Sequence, residues 1–228
     1  DGGWWLGGQS GGAGTNDNDF YFETVFSNNA GSRICGFLQD SRNTIQMNFT
    51  GQHRCKYNDY SENKVGLIVR TTGTYTNIDN SISPTINDSL CNIELTNKKN
   101  DKAIFGVISS KEDTDEFRKF DGGAFISMLR NEDKLKRVII NSIGEGSVWI
   151  SNINGNLENG DFITSSDIPG YGMKQHDDIL RNYTLGKITQ DCDFDNLFNW
   201  NTTRKINING NIDENGEYIA VFVGCIYH

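Results

Sequence analysis

Four Asn-Gly dipeptides in the second half of this chain constrain its fold more than any other sequence feature. They are Asn154-Gly155, Asn159-Gly160, Asn209-Gly210 and Asn215-Gly216. Asn-Gly supplies the two positive-φ residues that a type I′ hairpin turn requires. The dipeptides therefore predict tight chain reversals between short strands. The clearest predicted hairpin runs from Lys205 to Ile212, turns at Asn215-Gly216 and returns to Tyr227.

Strand-forming segments fill the sequence between the turns. Phe20–Phe26 is aromatic and β-branched, and Ile45–Thr50 alternates apolar and polar residues, which is typical of a half-buried strand. Short apolar runs, which are typical of fully buried strands, occur at 65–69, 103–108, 124–129, 138–140, 148–150, 162–164 and 183–188.

These patterns predict an all-β fold, a multi-stranded antiparallel sandwich or distorted barrel with Asn-Gly hairpins. Of 228 residues, 25 are Gly and 2 are Pro, a composition that suits many tight turns. Helical signals are confined to Lys111–Phe120 and Gln175–Arg181, neither of which has an apolar stripe. We therefore expect at most a short helix.

The N-terminal segment is predicted to be a Gly-rich arm over residues 1–19, followed by a β-rich domain over 20–228. A loose boundary between two subdomains is predicted near 113–123, where charge and glycine interrupt the strands. Trp4 and Trp5 lie in a segment too short to bury two indoles, so we expect them at an interface with another subunit. Because the chain begins at Asp1, we expect a removed leader or a longer precursor.

The charge balance excludes nucleic acid as a partner. The chain has 21 Lys and Arg against 30 Asp and Glu, a net charge of −9, and no basic cluster to neutralise phosphates. No apolar run approaches the roughly 20 residues that span a bilayer. Nucleotide-binding and hydrolase motifs are also missing from the sequence, so no cofactor is predicted.

Cysteine usage and sequons favour an oxidising, extracellular or virion-surface setting. The five cysteines form no CxxC motif and only three histidines occur, so no metal site is predicted. We expect disulfides instead, and Cys35 with Cys55 is the first guess for a pair. The remaining cysteines are Cys91, Cys192 and Cys225. The four predicted glycosylation sites are Asn48, Asn87, Asn182 and Asn201.

A block of ordered motifs resembles a known family. The block comprises 141–150, 154–166, 169–175 and 182–188, with further similar segments at 49–54, 66–69 and 107–109. It is similar to the autoprocessing intramolecular-chaperone domains at the C-termini of phage and giant-virus fibre or surface proteins, which have relatives in protists. The similarity runs from about Phe20 to Phe194. It implies a module that assists assembly of a fibrous oligomer.

The resemblance also implies candidates for self-cleavage, because autoproteolytic members use a Ser or Thr hydroxyl beside a carboxylate. The positions that match are Ser142, Ser165 and Ser166, with Glu145 or Asp161. The sequence departs from that pattern, because cleavage that leaves the nucleophile at a new N-terminus predicts Ser, Thr or Cys there rather than Asp1. Ser and Asp are also common turn-formers, which gives these residues a structural alternative.

The sequence therefore predicts a structural component of an extracellular or virion-surface fibre. We expect it to self-associate into an oligomer or filament through its N-terminal arm and exposed strands, so deleting Asp1–Gly14 should weaken the assembly. The alternatives are an autoproteolytic intramolecular chaperone and a glycan-binding head. An enzymatic role, if there is one, is predicted to be self-cleavage.

Overall fold

The computed structural model describes the backbone of residues 3–8, 19–25 and 32–39, and residues 50–76, 82–84, 89–111, 136–197, 200 and 202–228. For Thr50 and Gln52 only the backbone is described. The chain divides into two compact units, Asp1–Phe49 and Thr50–His228. The predicted strands Ile45–Thr50 and 124–129 and the predicted helical segment Lys111–Phe120 lie wholly or almost wholly outside the described residues.

The described residues form thirteen strands. They are β1 (Gly3–Gly8), β2 (Asp19–Val25), β3 (Ser32–Gln39), β4 (Thr50–Lys56), β5 (Ile68–Tyr75), β6 (Cys91–Leu95), β7 (Ile104–Lys111), β8 (Arg137–Ser151), β9 (Phe162–Ser165), β10 (Gly172–Lys174), β11 (Thr184–Ile188), β12 (Thr203–Ile206) and β13 (Tyr218–Tyr227). The described helical structure consists of two 3-10 turns, Glu62–Lys64 and Asn152–Asn154. The predicted all-β class is confirmed.

The small unit contains a three-stranded antiparallel sheet in the order β1-β2-β3. The central strand, β2, covers nearly all of the predicted strand Phe20–Phe26. The Gly-rich segment Gly3–Gly8 is itself a strand rather than an arm, because it pairs with β2 from Gly3 opposite Val25 to Gly8 opposite Phe20. The division of the chain therefore falls after Phe49 rather than near residue 20.

The large unit contains a ten-stranded sheet in the order β12-β13-β11-β9-β10-β8-β4-β6-β5-β7. Additional pairings of β8 with β13 and with β7 close this sheet into two five-stranded rings that share β8. Ring one contains β8, β13, β11, β9 and β10, and ring two contains β8, β4, β6, β5 and β7. The sheet is mixed rather than wholly antiparallel, because β10 with β8 and β4 with β6 are parallel pairs.

The long strand β8 joins the two rings. It merges two predicted strands, 138–140 and 148–150, into one strand from Arg137 to Ser151. Its first half pairs with β4, from Arg137 opposite Lys56 to Gly144 opposite Thr50. Its second half pairs with β13. The predicted subdomain boundary near 113–123 lies outside the described residues, and the strands on either side of it, β7 and β8, pair directly.

Alternating apolar residues on β8 and β13 build the interior of the large unit. Four of these side chains are fully buried and pack in one core cluster, namely Val148, Ile150, Val221 and Val223. A second cluster fills ring two, and a third lies around Trp149. The second cluster comprises Cys55, Tyr57, Val69, Cys91, Ile93, Ile108, Val138 and Ile140. Each ring therefore encloses packed side chains, as small closed sheets do.

Three of the four Asn-Gly dipeptides place a left-handed glycine, but none forms a type I′ turn. The φ angles of Gly155, Gly160 and Gly210 are 82°, 98° and 76°. A type I′ turn also needs positive φ at the preceding residue, and Asn100 is the one non-Gly residue of the described chain with positive φ. The predicted hairpin exists between β12 and β13, although its connection is the longer segment 207–217.

The predicted strand 65–69 begins later than the sequence indicates. Gly66 has φ 86°, and a Cβ at this position would lie 2.4 Å from the Phe222 ring and 2.8 Å from the Trp149 ring. The chain therefore turns at Gly66, where only glycine fits against these two rings, and β5 starts at Ile68.

Candidate functional site

Ser165 is the last residue of β9 and Ser166 follows it, and both are 0% exposed inside the large unit. The Ser165 hydroxyl donates to the Lys98 carbonyl at 2.8 Å and accepts from the Asp101 amide at 2.9 Å. These bonds fasten the connection between β6 and β7 to β9. Ser165 therefore holds together two segments that belong to different rings.

The Ser166 hydroxyl organises the tight turn between β9 and β10. Its Oγ donates to the Tyr171 carbonyl at 2.7 Å and accepts from the Ile168 amide at 3.1 Å. The Ser166 amide also donates to the same Tyr171 carbonyl at 3.0 Å. Both buried serines thus satisfy backbone groups that have no access to water, which is the structural alternative that turn-forming serines offer.

Asp161 lies at the opposite end of β9 from Ser165. Four residues of extended chain separate them, which corresponds to about 13 Å at a rise of about 3.3 Å per residue. The Asp161 carboxylate accepts from the Glu158 amide at 2.7 Å and pairs with Lys174 Nζ at 2.7 Å. The structure therefore does not bring Asp161 together with Ser165 as a hydroxyl–carboxylate pair.

Ser142 and Glu145 both lie on β8. Glu145 is exposed and stands opposite Ile226 of β13. Ser142 is half-buried and lines a depression of about 280 Å³, whose wall also contains Leu180, Arg181 and His228. Of the five candidates from the family resemblance, Ser142 is the one whose side chain lines this depression.

A residue that the sequence did not single out, Gln175, supports the wall of this depression. Its side chain is 3% exposed, and its Nε2 donates to the Ile179 carbonyl at 2.7 Å and to Asp177 Oδ1 at 2.7 Å. Its Oε1 accepts from the Thr184 hydroxyl at 2.6 Å. These bonds hold the segment 176–181, which we call the Gln175 loop, in one conformation.

The Gln175 loop is braced further by an ion pair. Arg181 Nη2 lies 2.9 Å from Asp177 Oδ2, and this guanidinium lowers the pKa of the Asp177 carboxyl. The loop exposes two large apolar side chains, Ile179 at 56% and Leu180 at 60%. A rigid loop that presents apolar side chains at the rim of a depression is suited to contact with another molecule.

One of the four predicted glycosylation sites, Asn182, lies among the described residues. Asn182 is exposed in the turn before β11 and lines the depression. The Thr184 hydroxyl of its sequon is engaged with Gln175. The other predicted sites, Asn48, Asn87 and Asn201, lie outside the described residues.

The four cysteines of the large unit are free thiols and all are buried. The predicted disulfides are therefore not formed in this structure among the described side chains. Burial raises the pKa of Cys192 and Cys225 to about 12. Cys55 lies beside Cys91, with 3.4 Å between the Sγ atoms. Only the backbone of Cys35, in β3, is described, so its pairing with Cys55 stays a prediction.

Trp4 and Trp5, the predicted interface residues, lie in β1. They stand opposite Thr24 and Glu23 of β2. Both β1 and β3 are terminal strands of the small sheet. The backbone therefore places the two tryptophans on a sheet edge, while their side chains lie outside the described part of the structure.

The described residues contain no group of three or more His, Cys, Asp or Glu side chains placed to hold a metal ion. Within the same part of the chain, no helix is both long enough and apolar enough to cross a membrane. Comparisons with known protein families, with curated proteins and with solved structures found no match. The resemblance to fibre chaperone domains accordingly stays a prediction.

Proposed function

We propose that this chain is a structural component of an extracellular or virion-surface fibre or filament, and that it assembles through the edges of its small sheet. The proposal rests on a difference between the two sheets in how many of their strands are terminal. The ten-stranded sheet closes on itself through β8, which leaves β12 as its terminal strand. In the three-stranded sheet, two of the three described strands, β1 and β3, are terminal.

The edges of the two sheets differ in the features that control pairing between chains. A terminal strand presents unpaired backbone N–H and C=O groups, which are a template for another strand. The terminal strand of the large sheet, β12, has 4 residues and includes Arg204 and Lys205. Short, charged edges of this kind resist pairing. In contrast, β1 has 6 residues, Gly3–Gly8, and none is charged.

The size of the small unit also supports assembly. The unit Asp1–Phe49 is smaller than the roughly 70 residues at which a single core becomes self-sufficient. A three-stranded sheet needs a hydrophobic face, or packing against another element, to be stable. Trp4, Trp5 and Phe20 supply large aromatic groups for such packing. Neighbouring copies in a fibre would provide strand partners for β1 and β3.

The buried serines favour this structural role over self-cleavage. Self-cleavage requires a hydroxyl that is free to attack a peptide carbonyl. The hydroxyls of Ser165 and Ser166 are bonded to backbone groups on both their donor and acceptor sides. In the proposed function these residues stabilise the fold of the large unit.

Light scattering on the full-length chain and two matched variants tests the proposal. Leu6→Lys places a charge in β1, where it opposes pairing with another copy. Ile208→Lys makes the same change at an exposed residue of the large unit, which is 49% accessible. We expect the wild type and Ile208→Lys to have the mass of an oligomer, and Leu6→Lys to have the mass of a monomer.

Two outcomes contradict the proposal. If light scattering finds the wild-type chain monomeric even at high protein concentration, the small unit does not drive assembly. An oligomer that is equally stable with Leu6→Lys would show that assembly proceeds through a surface other than β1.

A further inference from the structure

Cys55 and Cys91 occupy neighbouring positions on the two parallel strands of ring two. Lys56 of β4 stands opposite Asn92 of β6, and the two cysteines each lie one residue earlier on these strands. Both side chains point into the second core cluster. Their Sγ atoms are 3.4 Å apart, and one thiol donates a hydrogen bond to the other.

We propose that Cys55 and Cys91 form an intramolecular disulfide that links β4 to β6. Paired residues of adjacent strands have Cα atoms about 5 Å apart, within the range of about 4.4–6.8 Å that disulfides span. Closing the two sulfur atoms to bonding distance needs a movement of about 1.4 Å shared by two side chains. Cys91, rather than Cys35, is therefore the expected partner of Cys55. This inference does not depend on the proposed function.

The disulfide would link the two strands of ring two that share the fewest paired residues, β4 and β6. A single residue pair, Lys56 with Asn92, joins β4 to β6. By comparison, β4 pairs with β8 over the whole of its length, from Thr50 to Lys56. A covalent link at Cys55 and Cys91 therefore strengthens the ring at the point where backbone hydrogen bonds contribute least.

The two thiols have different chemical roles. Cys91 is 8% exposed, whereas Cys55 is 0% exposed. The hydrogen bond from Cys55 lowers the pKa of Cys91, and the same contact raises the pKa of Cys55. Cys91 is accordingly the more readily ionised and the more accessible of the two thiols, and these properties identify the attacking group in thiol–disulfide exchange.

A low-molecular-weight disulfide, such as oxidised glutathione, is the oxidant. The Cys91 thiolate attacks one sulfur of oxidised glutathione, which forms a Cys91–glutathione mixed disulfide and releases one glutathione thiolate. Cys55 then loses its proton and attacks the Cys91 sulfur, which releases the second glutathione. Two protein thiols are oxidised and one small disulfide is reduced to two thiols, so electrons and protons balance.

Tryptic peptide mapping of the full-length, unglycosylated protein tests the pairing. After incubation with oxidised glutathione and blocking of the remaining thiols, cleavage at Lys and Arg places Cys35, Cys55 and Cys91 in three different peptides, 34–42, 55–56 and 71–98. We expect peptide 55–56 to be linked to peptide 71–98. The link should be absent in Cys91→Ala and present in Cys225→Ala, which removes a buried thiol of another core cluster.

Thermal unfolding supplies a second readout. The disulfide closes a segment between residues 36 positions apart, so oxidation should raise the melting temperature on the order of 10 °C, reversibly on reduction. Cys91→Ala should show no difference between oxidised and reduced samples. The proposal is overturned if both thiols remain free after oxidation, or if peptide 55–56 is linked to peptide 34–42.

Discussion

The guanidinium of Arg204 stacks on the indole ring of Trp149, with 3.8 Å between Cζ and the ring centroid. The same group lies 4.8 Å from the centroid of the Tyr171 ring, and its Nη1 donates to the Asn63 carbonyl at 2.9 Å. Trp149 is itself fixed by a hydrogen bond from its Nε1 to the Val65 carbonyl at 3.0 Å. Arg204 therefore fastens the terminal strand β12 to the C-terminal end of β8.

Replacing this guanidinium tests how firmly β12 is held. Arg204→Lys keeps the charge but loses the planar stacking and the fixed donors, so we expect a loss of about 1–2 kcal/mol in the free energy of unfolding. Lys205→Arg, on the exposed adjacent position of the same strand, is the control and should change stability by less than about 0.5 kcal/mol. Urea unfolding followed by tryptophan fluorescence measures both, and equal stabilities would show that the stack contributes nothing.

Ser166 is predicted to matter for stability rather than for chemistry. Ser166→Ala leaves the buried Ile168 amide without its acceptor, at a cost of about 1–3 kcal/mol. Ser142→Ala, at the half-buried wall of the depression, should cost less than about 0.5 kcal/mol. Urea unfolding compares the two variants. A smaller protein fragment that the wild type produces and Ser166→Ala does not would contradict this structural role.

The buried thiols predict that the large unit loses stability in alkali. Burial raises the pKa of Cys192 and Cys225 from the ordinary 9.0 to about 12. Since the folded pKa lies above the unfolded one, this stability is fully present below pH 9.0 and is lost as the pH rises toward about 12. Each thiol contributes a slope of about 1 kcal/mol per pH unit in this window.

Cys225→Ala isolates one of these contributions. Urea unfolding between about pH 9 and about pH 11, in a reducing buffer, should show a shallower decline for the variant than for the wild type, by about 1 kcal/mol per pH unit. The two proteins are compared by the slope of the free energy of unfolding against pH. The loss of packing in Cys225→Ala lowers this free energy equally at every pH and so does not change the slope. Identical slopes would show that ionisation of Cys225 is not linked to unfolding.

The sequence predicted those parts of the fold that depend on local patterns. Runs of apolar, aromatic and β-branched residues indicated β2, β7, β9 and β11, and consecutive residues of β7, β9 and β11 are indeed buried. The Gly3–Gly8 strand was missed, because its glycines have a low strand propensity and its pairing with β2 supplies the missing stabilisation. The Asn-Gly dipeptides marked chain reversals correctly, but the turn type depended on neighbouring contacts.

The candidate site was less predictable because its residues meet only after folding. Gln175 has no distinctive sequence context, yet it accepts from Thr184 and donates to Ile179 across the loop. The Cys55–Cys91 contact depends on two strands that are parallel neighbours although they are 36 residues apart. Spacing along the chain instead favoured Cys35 as the partner of Cys55. The role of Ser166 in a turn was predictable, since serine hydroxyls commonly bond to the backbone of turns.

Hydrogen exchange of the β1 amides tests the central claim most directly. Alternate amides of Gly3–Gly8 point away from β2, and β2 is the one strand that β1 pairs with among the described residues. If assembly pairs this edge with another copy, these amides should exchange at least ~10-fold more slowly in the assembled sample than after dissociation by dilution. Amides of Thr203–Ile206 should be unchanged. Equal exchange of Gly3–Gly8 in both samples would contradict assembly through β1.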